Sequence, residues 1–81
     1  MATFTFNDLK GMLVERVGIE PEQITSPDQT FGDLGLESLG FVELVLAVEQ
    51  QYGFAVPDED AQQIQTLGEA VNYCNRRLAE A

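Results

Sequence analysis

The 81 residues carry 14 acids, 4 bases and no histidine. A chain this short buries only about 60–65% of its unfolded surface, so a large enzyme pocket is not expected, and the lack of histidine excludes imidazole acid–base catalysis and histidine metal ligation. The net charge of −10 repels nucleic acid and anionic membranes and attracts basic protein surfaces, though high charge also serves solubility by itself.

At 44% apolar residues the composition is that of a globular domain. A single domain over residues 1–81 is expected. Met1-Ala2-Thr3-Phe4 shows no basic leader and no long apolar run, so neither a signal peptide nor a membrane span is expected. The lone Cys74 has no internal partner, which fits a reducing cytoplasm.

The pattern is helical throughout. A first helix is predicted from Thr5, where Thr5 and Asp8 resemble a capping box. Phe6, Leu9, Met12, Leu13 and Val17 follow at helical spacing, and Gly18 stops the run. Gly18–Glu37 is then a loop of 20 residues, long for a compact domain. Ile19, Ile24, Phe31, Leu34 and Leu36 are spaced along it as anchors, and Ser26-Pro27-Asp28 marks a turn. A second helix is predicted over Ser38–Tyr52, ended by Gly53. Val56-Pro57-Asp58-Glu59-Asp60 reads as the entry of a short third helix, with proline at its first turn. The last helix starts at Thr66, with Glu69 completing Thr-x-x-Glu. Leu67, Ala70, Val71, Cys74 and Leu78 form its apolar stripe. The fold class is all-α: a small four-helix bundle with a long first loop and a short third helix.

The second helix has one apolar stripe too many. Phe41, Leu44, Val45, Val48 and Tyr52 share a face sufficient for the core. Leu39, Val42 and Leu46 fall roughly opposite, interleaved with Glu43 and near Gln50. Either the long loop folds over this second row, or the row is an exposed docking strip with carboxylates around it. Ser38, at the start of the same helix, also has two readings. A serine there is ordinarily an N-cap. However, Phe41 stands three residues on, so there is no capping box, and Glu37 is able to accept the first-turn N–H groups itself. A hydroxyl pointing outward beside a helix N-terminus suits attachment of a phosphate.

At these residues the chain resembles the acyl carrier proteins. They bear a 4′-phosphopantetheine arm on the serine of an Asp-Ser-Leu motif opening their second helix. Here the motif reads Glu37-Ser38-Leu39 after Asp33-Leu34-Gly35. The likeness continues through Val42-Glu43-Leu44-Val45, Glu49, Val56-Pro57-Asp58-Glu59 and Ala70-Val71-Asn72-Tyr73. The departures are Glu37 for the usual aspartate, Gly40 where many members have an acid, and Gln50-Gln51 in a region often acidic. Tyr52-Gly53 and the ending Arg76-Arg77-Leu78-Ala79-Glu80-Ala81 look like the free-standing carriers of bacterial aromatic polyketide synthases.

The resemblance implies a carrier and not an enzyme. Ser38 is expected to take the arm from coenzyme A through a phosphopantetheinyl transferase. Acyl groups would then ride as thioesters to a ketosynthase, an acyltransferase and other basic-surfaced enzymes of a type II polyketide or fatty acid synthase. The expected docking face is Glu37, Leu39, Val42, Glu43, Leu46 and Glu49. The expected acyl pocket is Phe31, Leu34, Phe41, Val45, Ile64 and Tyr73, with Phe41 near its mouth. The carrier is expected to be a cytoplasmic monomer without metal. Cys74 is read as core, since the working thiol belongs to the arm.

Other classes fit less well. A serine hydrolase needs a Gly-x-Ser-x-Gly turn and a histidine base, and both are missing. Asp58, Asp60 and Glu69 match three positions of a calcium loop, but Gln63 stands where glycine is needed and Gln62 is neutral. A peptidyl carrier would show Gly-Gly-x-Ser-Leu instead of Leu36-Glu37-Ser38-Leu39. The remaining alternative is an acidic helical interaction domain with Ser38 unmodified.

Overall fold

The computed structural model describes residues 3–36 and 38–80, with Ser38 described by its backbone alone. Four α-helices follow in order: α1 Phe6–Met12, α2 Ser38–Tyr52, α3 Asp58–Ala61 and α4 Leu67–Glu80.

The Thr5–Asp8 capping box is present. Thr5 Oγ1 accepts the Asp8 N–H at 3.0 Å and Asp8 Oδ2 accepts the Thr5 N–H at 2.9 Å. Beyond Met12 the helix widens into a π-helical stretch, Leu13–Val17. It ends where the Gly18 and Ile19 N–H groups both donate to the Leu13 carbonyl. Gly18 and Gly53 end their helices in the left-handed conformation, at φ 83° and 78°, which costs glycine nothing.

Phe4 stands just before the cap and is nearly inaccessible, as is Leu9 at the fourth helical position. This is the placement of a hydrophobic staple. Asn75 on α4 clasps the Phe4 backbone, accepting its N–H and donating to its carbonyl, both at 2.8 Å. Phe4, Leu9, Leu13 and Leu67 are the most completely buried large side chains. Each contributes about 1.5–3 kcal/mol relative to exposure.

The long loop is ordered by its own polar groups and by α4. Gln29 Oε1 accepts the Thr25 and Ser26 N–H groups, and Gln29 Nε2 donates to the Gln23 carbonyl. Thr30 and Asp33 make a second reciprocal box, at 3.1 and 3.0 Å, around the 3₁₀ turn Gly32–Leu34. An isolated antiparallel bridge joins Thr30 to Thr66, and Leu67 N–H donates to the Gln29 carbonyl. Of the anchors, Ile24, Phe31 and Leu34 are buried, and Ile19 and Leu36 pack against the core.

Pro57 occupies the cap position of α3, one residue ahead of the expected first turn. Thr66 and Glu69 form the expected box at the start of α4. Glu69 also accepts the Gln65 N–H, and the Thr66 and Gln65 backbone donors lower the Glu69 carboxyl below its ordinary range. No helix among the described residues is long and apolar enough to cross a membrane.

Candidate functional site

The two sides of α2 do different things. Leu44 and Val48 are buried, with Phe41, Val45 and Tyr52 half-buried beside them. Ala47, absent from the expected face, is buried as well. On the other side Leu39 is 72% exposed, and Val42 and Leu46 are each 49% exposed. These are the large exposed hydrophobics among the described residues. The long loop therefore does not cover them. Glu43 is exposed among them. Glu49 is half-buried, and its Oε2 accepts the Val56 N–H at 2.7 Å, so this acid also fixes the chain leaving α2. Glu37, expected on this face, and the Ser38 hydroxyl lie outside what the structure describes.

α2 opens at Ser38. Beside that end lies an open groove of about 620 Å³. Leu36 and Phe41, two residues before and three after Ser38, both line it. Gly40 makes room for Leu36. A Cβ at position 40 would stand 2.7 Å from Leu36 Cδ2, so any larger residue would displace that side chain.

Behind the groove is a small apolar cavity of about 30 Å³. Five of the six expected pocket residues line it: Phe31, Phe41, Val45, Ile64 and Tyr73. Leu34 does not. Its side chain is part of the core and its N–H donates to the Phe31 carbonyl, so it anchors the loop and borders neither space. Phe31 and Phe41 stack edge-on, with centroids 5.2 Å apart and planes at 65°.

A model of the phosphopantetheine attachment site family matches residues 7–74. The chain belongs to the acyl carrier protein family. It is 40% identical over 68 residues to an acyl carrier protein of Wolinella succinogenes, across 84% of this chain and 90% of that one. Solved structures of the carrier from the actinorhodin polyketide synthase of Streptomyces coelicolor share its fold. The 3-oxo-butyl form superimposes with a TM-score of 0.83 at 35% identity, covering 100% of this chain and 99% of that one. The holo form gives 0.80 at 32% identity, covering 99% and 96%.

An acyl carrier protein is a carrier, not a catalyst, and bears covalent 4′-phosphopantetheine. This carrier's geometry fits that group. The first turns of α2 contribute Phe41 and Val42 to a mainly apolar groove, whose lining also includes the polar residues Thr30, Asp58, Gln62 and Gln65. Ser26, the other serine, is engaged in its turn, where its Oγ accepts the Asp28 N–H at 3.1 Å. Cys74 is buried on the cavity wall, and burial pushes its thiol up to about 11, so it holds no thiolate at neutral pH.

A polar clasp missed at the sequence level ties α3 to α4. Tyr73 O–H donates to Asp60 at 2.8 Å, and Arg77 Nη1 donates to Tyr73 Oη at 2.8 Å and to the Ala55 carbonyl at 2.7 Å. Arg76 and Arg77 both lie against the Tyr73 ring, at 5.2 and 5.8 Å from its centroid. Tyr73→Phe keeps the ring and removes the hydroxyl. The expected loss is about 1 kcal/mol, with faster amide exchange in α3 and unchanged exchange in α1. Exchange measured residue by residue checks this; α3 amides as protected as in the parent would show that the clasp does not hold it.

Proposed function

We propose that the chain is one acyl-carrier domain over residues 1–81. On this reading it holds acyl intermediates as thioesters on a 4′-phosphopantetheine arm attached to Ser38, and delivers them to the enzymes of a type II polyketide synthase. The observation that carries the attachment is the start of α2 at Ser38 beside the groove lined by Leu36 and Phe41. The polyketide reading is supported by the likeness to structures of the actinorhodin polyketide synthase carrier, at 31–35% identity. The carrier acts as a cytoplasmic monomer, and its partners are a phosphopantetheinyl transferase, a ketosynthase, an acyltransferase and other basic-surfaced enzymes.

Chemistry divides between arm and protein. The arm, when bound, supplies the thiol that forms the thioester. The protein supplies an anchoring hydroxyl, a groove beside it, and the exposed strip Leu39, Val42 and Leu46 with its acids. Incubation with coenzyme A and a phosphopantetheinyl transferase tests the reading. The expected result is a mass gain of one phosphopantetheine. No gain would leave an acidic interaction domain with Ser38 unmodified.

Docking has its own test. Glu43 stands exposed within the apolar strip, and α2 contains no Lys or Arg. Glu43→Lys is expected to slow association with a ketosynthase about tenfold at low salt and to flatten the salt dependence of the rate. Stopped-flow association across a salt series reads both. Rates that match the parent at every salt concentration would remove Glu43 from the docking face.

A further inference from the structure

Three spaces meet between α2, α3 and α4: the outer groove, the apolar cavity of about 30 Å³, and a polar hollow of about 230 Å³ bordered by Asp60, Asn72, Tyr73 and Arg76. Ile64 is the one side chain that lines all three. It sits on the turn leaving α3, where its N–H donates to the Ala61 carbonyl, and it is half-buried against the core. Phe31 and Phe41 line the groove and the cavity with it. These three side chains are therefore the wall between the two.

We propose that Ile64 sets how deep the acyl cargo reaches, and that it confines the chain to short acyl groups held in the outer groove. The proposal rests on attachment at Ser38. Behind the wall there is room for about one or two small groups. An acyl tail gains about 0.8 kcal/mol for each methylene removed from water, which is about fourfold in the equilibrium for entering. That gain is available to a long tail only if the wall yields. Phe31 and Phe41 support one another by edge-on stacking, whereas Ile64 comes from a turn next to a four-residue helix and stands between all the spaces. Removing its side chain beyond Cβ joins groove, cavity and hollow into one.

Cys74 reports on the cavity directly. It lines the inner space, is 5% exposed, and is the sole cysteine. The parent and Ile64→Ala are loaded with amide-linked acyl-pantetheine arms from acetyl to octanoyl, which carry no free thiol. Labelling of Cys74 by a maleimide is then timed under native conditions. In the parent, labelling should proceed at one rate for all acyl lengths. In Ile64→Ala, octanoyl should slow labelling relative to acetyl by about fourfold for each methylene that enters. Ile64→Val, a milder cavity, should show a smaller slowing and serves if the alanine variant does not fold. Length-dependent protection already present in the parent, or none in either variant, would overturn the proposal. Mass analysis of the loading step separates the two levels. A parent that takes no arm overturns the carrier reading and the proposal with it, whereas loaded variants labelled at one rate overturn the proposal alone.

Discussion

Ser38→Ala is expected to abolish loading completely while the protein stays folded. The serine oxygen is the atom that would be phosphorylated, and alanine has nothing in its place. Loss of the site is therefore all-or-none and needs no change in affinity. α2 is held by Leu44, Ala47 and Val48 in the core and by the Phe31–Phe41 pair, none of which involves residue 38. If the hydroxyl also caps the helix, its removal costs about 1 kcal/mol, or about 4–8 °C in Tm for a domain of this size. Ser26→Ala is the matched control. It removes a hydroxyl that accepts the Asp28 N–H in the loop turn, so it should load like the parent. Intact-protein mass and a thermal melt give both readouts. A phosphopantetheine on the Ser38→Ala chain, or its loss from Ser26→Ala, would move the attachment site.

The helix ends were legible because they are set by local chemistry. Thr5 with Asp8, Thr66 with Glu69, Gly18 and Gly53 each act within a few residues of themselves. The exposed strip was legible for a different reason: Leu39, Val42 and Leu46 cannot share a face with Leu44 and Val48 at 100° per residue. What escaped the sequence depends on residues far apart. Phe4 is core because Asn75, 71 positions away, satisfies its backbone. Tyr73 meets Asp60 only once α3 lies against α4, although its contact with Arg77, four residues on, is local to α4. Glu49 reads as a surface acid until Val56 turns back to it. The Thr30–Asp33 box is an exception, since a Thr-x-x-Asp spacing stands in the sequence and could have been read as a local lock on the loop. The size of the cavity was beyond reach, since volume is set by how several side chains from α1, α2, α4, the long loop and the segments flanking α3 meet, and no local pattern encodes it.

Phe41→Ala is expected to lower stability by about 3 kcal/mol, the low end for a phenylalanine truncation because the ring is only half-buried. Part of that loss is the edge-on contact with Phe31, whose centroid lies 5.2 Å away. The rest is lost burial and the space left behind. That space lies where the groove and the inner cavity adjoin, because Phe41 lines both. Ordinary core truncation leaves a hole that nothing fills. With the arm on Ser38, as proposed, the attachment point would be three residues away, and a loaded acyl tail would be an apolar group tethered near the opening. A tethered ligand that occupies the hole in the folded state, and not in the unfolded one, restores stability. The variant loaded with octanoyl should therefore melt above the acetyl-loaded variant by several degrees. In the parent the two loaded forms should melt together, since the ring already occupies the space. Thermal melts of the four loaded proteins decide the matter. A deficit that is the same at every acyl length would make Phe41 a packing residue and nothing more.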